Sequence, residues 1–200
     1  MSFRFERKAL FNFSDYLELK KLIFKLKGHE LYPKREIKSL YFDNFNTQTF
    51  FDSEEGSVPR KKIRIRNYPK SKKKFFMLEK KISSVEGRFK LSKNLSTSDY
   101  DHFLQNGVND DQYGYCFPIV WITYEREYFR LLENRVTIDK DIRYQKYNNS
   151  IEYLDNTNII FEVKSNKSQS KNLFDNLPQF NEIRVSKYCN SIKKIFNIKY

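Results

Sequence analysis

The chain has 200 residues and a formal net charge of +13, with 39% hydrophobic residues, 19 Phe and 14 Tyr among them. Five Gly and five Pro exclude a collagen-like or linker-rich chain, and two Cys with two His exclude a disulfide framework or a Cys/His zinc module. No apolar run approaches the roughly 18 residues of a membrane span, and the N-terminus has no secretory h-region, so a cytoplasmic protein of one domain, residues 1–200, is expected.

In chain order, a strand is predicted over Phe3–Leu10, followed by the strongest helix, Asp15–Lys27. Ser14 is read as its N-cap, Gly28 as its C′ residue, and Leu19, Leu22, Ile23 and Leu26 as its apolar stripe. Strands follow at Ile37–Phe42, Lys61–Tyr68, Phe75–Ser83 and Arg88–Ser92. A helix is predicted over Ser98–Gln105, then strands at Ile119–Arg130, Arg135–Arg143 and Asn158–Ser165, and a last helix starts near Ser186 or Lys187. About eight strands and two to four helices make an α+β chain with mostly antiparallel pairing. Eight strands can close into a β-barrel around one small ligand.

The charge surplus points to a polyanion, although the lysine enrichment of an AT-rich genome would give the same composition. Placement has to decide. Arg60, Lys62, Arg64 and Arg66 alternate with Lys61, Ile63 and Ile65, so one strand carries four cations on one face. The same spacing recurs in Glu6 with Lys8, Glu79 with Lys81, Arg88 with Lys90, Tyr124 with Arg126, Arg135 with Thr137, Asp139 and Asp141, and Glu162 with Lys164. A single such strand is an ordinary solvated face. So many in one chain point to an interior lined by Arg, Lys and Glu, its apolar outer faces (Ile63, Ile65, Leu78, Ile82, Val136, Ile138) covered by helices and neighbouring chain. Such a lining suits a triphosphate or polyphosphate, which accepts forked hydrogen bonds from Arg and point contacts from Lys. Glu6, Glu79 and Glu162 either hold Mg²⁺ or Mn²⁺ or neutralise neighbouring cations.

These residues carry a resemblance. Arg4-Phe5-Glu6-Arg7-Lys8, Ser39-Leu40-Tyr41-Phe42-Asp43-Asn44, the strand from Arg60 to Tyr68, Leu78-Glu79-Lys80-Lys81 with Arg88-Phe89-Lys90, Tyr124-Glu125-Arg126 with Arg135-Val136-Thr137-Ile138-Asp139, Phe161-Glu162-Val163-Lys164 and Val185-Ser186-Lys187-Tyr188 follow one another in the order of the VTC-domain family. That family is the polyphosphate polymerase module of the vacuolar transporter chaperone complex. The resemblance implies a triphosphate tunnel fold, an eight-stranded antiparallel β-barrel with flanking helices shared with the CYTH enzymes. It implies transfer of the terminal phosphoryl of ATP to polyphosphate with Mn²⁺ or Mg²⁺. It places the catalytic clamp on Lys8, Arg64, Arg66, Lys81, Arg126, Arg135 and Lys187. Further phosphate contacts fall on Arg60, Lys62, Arg88, Lys90, Tyr124 and Ser186, and the metal on Glu162, with Glu6 and Glu79 as further candidates. Arg88 and Lys90 exchange the family's usual Lys and Arg. Arg4 stands where CYTH enzymes carry a further Glu.

ATP with polyphosphate or another triphosphate is thus the expected partner. Nucleic acid is not the expected main ligand, and coupling to a membrane would need another protein. The alternatives are a tunnel hydrolase of tripolyphosphate or nucleoside triphosphates, and a non-catalytic polyphosphate-binding module. His29 and His102 stand outside every motif.

Overall fold

The first helix does not start where its first serine stands. In the computed structural model, which describes residues 5–155, 157–165 and 181–198, strand β1 (Phe5–Phe11) leads into α1 (Phe13–Lys25), capped by Asn12. The Asn12 side chain accepts from the Asp15 N–H at 2.9 Å, and the Asp15 carboxylate accepts from the Asn12 N–H at 3.2 Å. This reciprocal box needs an acid three residues after the cap, which Asn12 has and Ser14 lacks. At the other end Lys27, with φ 59°, takes the left-handed C′ position. The Lys27 N–H donates to the Phe24 carbonyl and the Gly28 N–H to the Ile23 carbonyl, closing a Schellman motif. Gly28 is therefore C″ rather than C′. Its hydrogen stands where a Cβ would meet the Ile23 side chain at 2.7 Å.

Strand β2 (His29–Asp43) is more than twice as long as the predicted segment; its first half is polar, largely exposed and interrupted by Pro33. Helix α2 (Gln48–Glu55) has no side-chain cap of its own. Instead the Asp43 carboxylate accepts from the N–H groups of Thr49 and Phe50 at 2.9 and 3.1 Å. Strands β3 (Arg60–Asn67), β4 (Phe76–Ser84) and β5 (Gly87–Leu95) precede α3 (Thr97–Asn106). That helix is capped by Ser96 in a second box with Asp99, two residues before the predicted cap. A short β6 (Val108–Asp110), the long β7 (Gly114–Leu131) and β8 (Asn134–Lys146), a short β9 (Glu152–Asp155), β10 (Ile159–Ser165) and α4 (Lys187–Phe196) complete the described elements. No helix of the described residues is long and apolar enough to cross a membrane.

The chain divides into two compact units, and β2, β7, β8 and β9 each contribute residues to both. In the first unit (residues 1–36, 124–142 and 154–185) the strand order is β1-β10-β8-β7-β2, with β10 antiparallel to both β1 and β8. One face of this sheet, Ala9, Phe11, Phe129, Leu131, Val136, Ile138, Ile159, Phe161 and Val163, packs on Tyr16, Leu19 and Ile23 of α1. A polar tie anchors the helix: the Tyr16 hydroxyl donates to the buried Glu127 carboxylate at 2.8 Å, and Lys20 and Lys140 flank it at 3.1 and 3.0 Å.

In the second unit (residues 37–123, 143–153 and 186–200) the order runs β7-β2-β3-β4-β5, with β6 on β7 and β9 on β8. Leu40, Phe42, Ile63 and Ile65 form the apolar face here, joined by Leu78, and Tyr100, Phe103 and Leu104 of α3 pack against it. In each unit the apolar face of the sheet is covered by a helix, as the alternation of charge and Ile predicts. Lys61 and Lys80 are two of the cations turned to this covered face. They are neutralised by Asp110, whose carboxylate takes Lys61 at 3.0 Å and Lys80 at 2.7 Å, with Asp111 also on Lys61.

Candidate functional site

The two-residue period of β3 puts Arg60, Lys62, Arg64 and Arg66 on the face away from α3, and the register extends that face across the hairpins. Three rows result: Ser39–Arg66–Met77–Asn94, Tyr41–Arg64–Glu79–Ser92 and Lys62–Lys81–Lys90. Residues 60–93 carry 14 cations and two carboxylates, so this stretch alone accounts for nearly all the net charge. A row of three lysines directly opposite one another opposes the pairing of its own strands. The face is also half-buried, with the Arg64 and Arg66 side chains 18% and 11% exposed.

Glu79 is the buried carboxylate of this face. One of its oxygens accepts from Arg64 Nε at 2.7 Å and Nη2 at 2.6 Å and lies 3.7 Å from Arg66 Nε; the other accepts from Lys90 at 2.9 Å. Burial acts to raise its pKa, but Arg64, Arg66 and Lys90 outweigh burial and hold it at about 2. Both oxygens of Glu79 thus lie on cations, the arrangement of a counter-ion.

The α4 end of this unit is set by Ser186. Its hydroxyl caps the helix, accepting from the Cys189 N–H at 3.3 Å, and also accepts from Lys62 at 2.7 Å. Lys187 is the first residue of the helix. Arg60 donates to the Gly56 and Ser57 carbonyls at 2.9 Å each, bracing the end of α2, and Arg88 lies exposed opposite Ser83.

A support for Arg64 lies outside the charge pattern. Arg64 Nη1 donates to the Tyr41 hydroxyl at 2.8 Å, and the Tyr41 ring stacks on Tyr188 of α4 at 5.0 Å. The Tyr188 hydroxyl donates to buried Asp43. Burial pushes the Asp43 carboxyl up, although Tyr188, Thr49 and Asn44 hydrogen-bond to it. The sequence signal was present, because Tyr41, Asp43 and Tyr188 all stand inside family motifs, but charge periodicity does not mark them.

In the first unit the register builds a second polar face. Lys8 pairs with Glu162 and Glu162 with Thr137; Glu6 pairs with Lys164 and Lys164 with Arg135. Lys164 Nζ is 3.3 Å from Glu6 and 3.1 Å from Glu162, and Lys8 donates to the Val185 carbonyl at 3.2 Å. Arg126, half-buried, reaches this same face through Asp139, which shares the face of Thr137. Its Nε and Nη2 fork onto the Asp139 carboxylate at 2.5 and 2.7 Å, and its guanidinium lies 5.3 Å from the Tyr124 ring. Burial acts against the charge of Arg126, but Asp139 more than compensates, so its pKa stays well above the usual guanidinium value.

Two donors on β8 are different. Arg135 Nε and the Thr137 hydroxyl are buried, lie on the same face, and have no hydrogen-bond partner among the described residues. Buried donors of this kind normally have acceptors. Thr137 stands in the sequence as a polar member of an alternating strand and inside the Arg135–Asp139 family motif, but neither signal gave it a role.

Among the described residues, no three His, Cys, Asp or Glu side chains cluster as a metal site. Two carboxylates do adjoin: Glu6 and Glu162, from neighbouring strands, share Lys164. A magnesium-type cation is commonly held by one or two carboxylates and completed by substrate phosphates, so the pair fits such an ion. His29 and His102 are exposed, and Cys116 and Cys189 are buried and free. Burial pushes the Cys116 thiol up to about 12, unsuited to nucleophilic chemistry. The Arg4 position lies outside the described residues.

Two solved structures share the fold. A Bacillus halodurans protein described as a candidate adenylate cyclase superimposes with a TM-score of 0.64 at 14% identity, covering 98% of each chain. A Pyrococcus horikoshii protein gives 0.61 at 12% identity, covering 96% of this chain and 99% of its own. At such identities the likeness is one of fold, the α+β antiparallel triphosphate tunnel type. None of the curated proteins compared with the chain matches it. The sequence profile of the VTC domain matches residues 3–196, nearly the full length, and the chain is a member of the VTC domain family.

Proposed function

We propose that residues 1–200 act as one VTC-like triphosphate tunnel domain, a polyphosphate polymerase-type phosphotransferase that moves the terminal phosphoryl of ATP onto polyphosphate. The observation that carries this reading is the cation face of β3, β4 and β5, half-buried at Arg64 and Arg66 and exposed at Arg88 and Lys90. Its lysine row stabilises the fold poorly on its own and would be relieved by a polyanion laid along it.

In the transfer, the γ-phosphorus of ATP bonds to a terminal oxygen of the chain as its bond to the β,γ-bridging oxygen breaks, and ADP leaves. The attacking oxygen is already ionised, so no general base is needed, in keeping with exposed histidines and buried thiols. Positioning and charge neutralisation are the protein's main contributions to such a reaction. Arg64 and Arg66 hold non-bridging oxygens in the second unit, Arg64 steadied by Tyr41 and Glu79. Lys62, Lys81, Lys90, Arg88 and Lys187 add point charge, and Ser186 orients Lys62. In the first unit Arg135 and Thr137 offer their buried donors, Lys8 adds charge, and Arg126 with Tyr124 keeps a fixed positive charge at the face. Arg60 acts through α2. Glu6 and Glu162 would hold Mn²⁺ or Mg²⁺, which when bound offsets charge on the phosphates and the leaving group. Glu79 balances the clamp.

Incubation with ATP and Mn²⁺, followed by product sizing, tests the reading. Long chains support it. Orthophosphate alone would assign a hydrolase, and tight tripolyphosphate binding without turnover a binding module.

A further inference from the structure

The loop joining β3 to β4 belongs to neither the clamp nor the core. It runs from Tyr68 to Phe75 and closes with the Ser71 N–H donating to the Tyr68 carbonyl at 2.9 Å. Pro69 through Lys74 are exposed, and this stretch holds Lys70, Lys72, Lys73 and Lys74 with no carboxylate. The loop is continuous with the clamp face, since the row nearest to it pairs Arg66 with Met77.

We propose that this loop is a second anion subsite, a landing track for the distal part of a long linear polyphosphate chain whose near end lies on the β3–β4 cations. The inference rests on the phosphate-binding reading of that face and extends it to the length of the ligand. Three observations select this occupant. Cations continue from Lys62, Arg64 and Arg66 of β3 to Lys70, Lys72, Lys73 and Lys74 of the loop with only Asn67, Tyr68 and Pro69 between and no carboxylate, which suits a linear anion with a charge on every repeat. The rings at the base of the loop are engaged with each other: Tyr68 and Phe75 stack at 6.4 Å and are half-buried, so they offer no open platform for nucleic-acid bases. None of the exposed large apolar side chains falls in the loop, so it has no wedge for a bilayer. A tripolyphosphate is too short to use both regions. The loop therefore discriminates by chain length, and holding a growing product there keeps its reactive end near the clamp between additions.

The test replaces Lys70, Lys72, Lys73 and Lys74 together with Gln, and in a second variant with Arg. Calorimetry on wild type and both variants measures tripolyphosphate and a polyphosphate of about 100 phosphates at several salt concentrations. The Gln variant is expected to bind tripolyphosphate within twofold of wild type and the long chain at least tenfold more weakly. Its long-chain salt slope should fall by about three, as for four lost phosphate contacts on a single strand. The Arg variant should retain long-chain binding. Equal effects on both ligands, or none on the long chain, would overturn the inference. A wild type that binds tripolyphosphate but gains nothing from length overturns this inference alone; one that binds neither overturns the clamp reading as well. Charge-matched RNA and phosphatidylserine vesicles serve as controls. Either one binding as tightly as the long chain, and losing that binding in the Gln variant, would assign the loop to nucleic acid or membrane and overturn the proposal.

Discussion

Replacing Glu79 with Gln separates the cost of holding the clamp from its use. Glu79 is buried among Arg64, Arg66 and Lys90, and its carboxyl is lowered from 4.5 to about 2. Such a displacement corresponds to about 3 kcal/mol of folding stability, reduced to about 2 kcal/mol for a face that water partly reaches. Because the folded pKa is depressed, this contribution is fully present above pH 4.5 and is lost as pH falls towards 2. Glu79→Gln should therefore cost about 2 kcal/mol at pH 7, and its stability curve should converge on that of wild type as pH falls from 4.5 towards 2. The same change removes a negative charge from beside three phosphate-binding cations. Tripolyphosphate should bind more tightly, by on the order of 1 kcal/mol at low salt. Urea unfolding across pH 2–7 and calorimetry with tripolyphosphate measure the two effects. Parallel pH curves for variant and wild type would refute the counter-ion argument. So would weaker tripolyphosphate binding in the variant that added Mn²⁺ restores, the mark of a metal ligand.

Asp139→Asn leaves the buried Arg126 guanidinium without its anion and should destabilise the protein by about 3 kcal/mol, read by urea unfolding. Arg66→Ala and Lys187→Ala should each weaken tripolyphosphate binding by about 1.5–3 kcal/mol, as for a hydrogen bond to a charged group, and calorimetry checks both. Ser186→Ala removes the α4 cap and the Lys62 acceptor together, costing about 1 kcal/mol, with faster amide exchange in the first turn of α4. Glu162→Gln should fold normally, still bind polyphosphate, and lose metal-dependent turnover; wild-type rates across a Mn²⁺ titration would make Glu162 a counter-ion only.

Period-two alternation carried most of the sheet. The strands around Arg64, Glu79, Val136 and Phe161 stand where the pattern puts them, because one face is apolar and covered and the other charged. The elements it missed lack that contrast. The first half of β2 is polar on both faces, and β6 and β9 have three and four residues. Helix α2 was invisible because its cap, Asp43, lies five residues before it and reaches in from the end of β2. The caps of α1 and α3 were displaced because a serine inside the first turn drew the start, whereas the Asn12–Asp15 and Ser96–Asp99 boxes fix it. Charge at the site was legible; commitment was not. Nothing in the spacing separates Arg126, forked onto Asp139, from Arg135, whose Nε is buried without a partner, because that difference is set by register between strands distant in sequence.

The most direct test of the account follows the phosphoryl group. ATP labelled at the γ-phosphate is supplied with Mn²⁺ and an unlabelled short polyphosphate, and the label is resolved by gel into chain and orthophosphate. The account predicts label in lengthening chains with wild type and its loss with Arg66→Ala. Label appearing only as orthophosphate, or entering chains at the same rate in Arg66→Ala as in wild type, would contradict it.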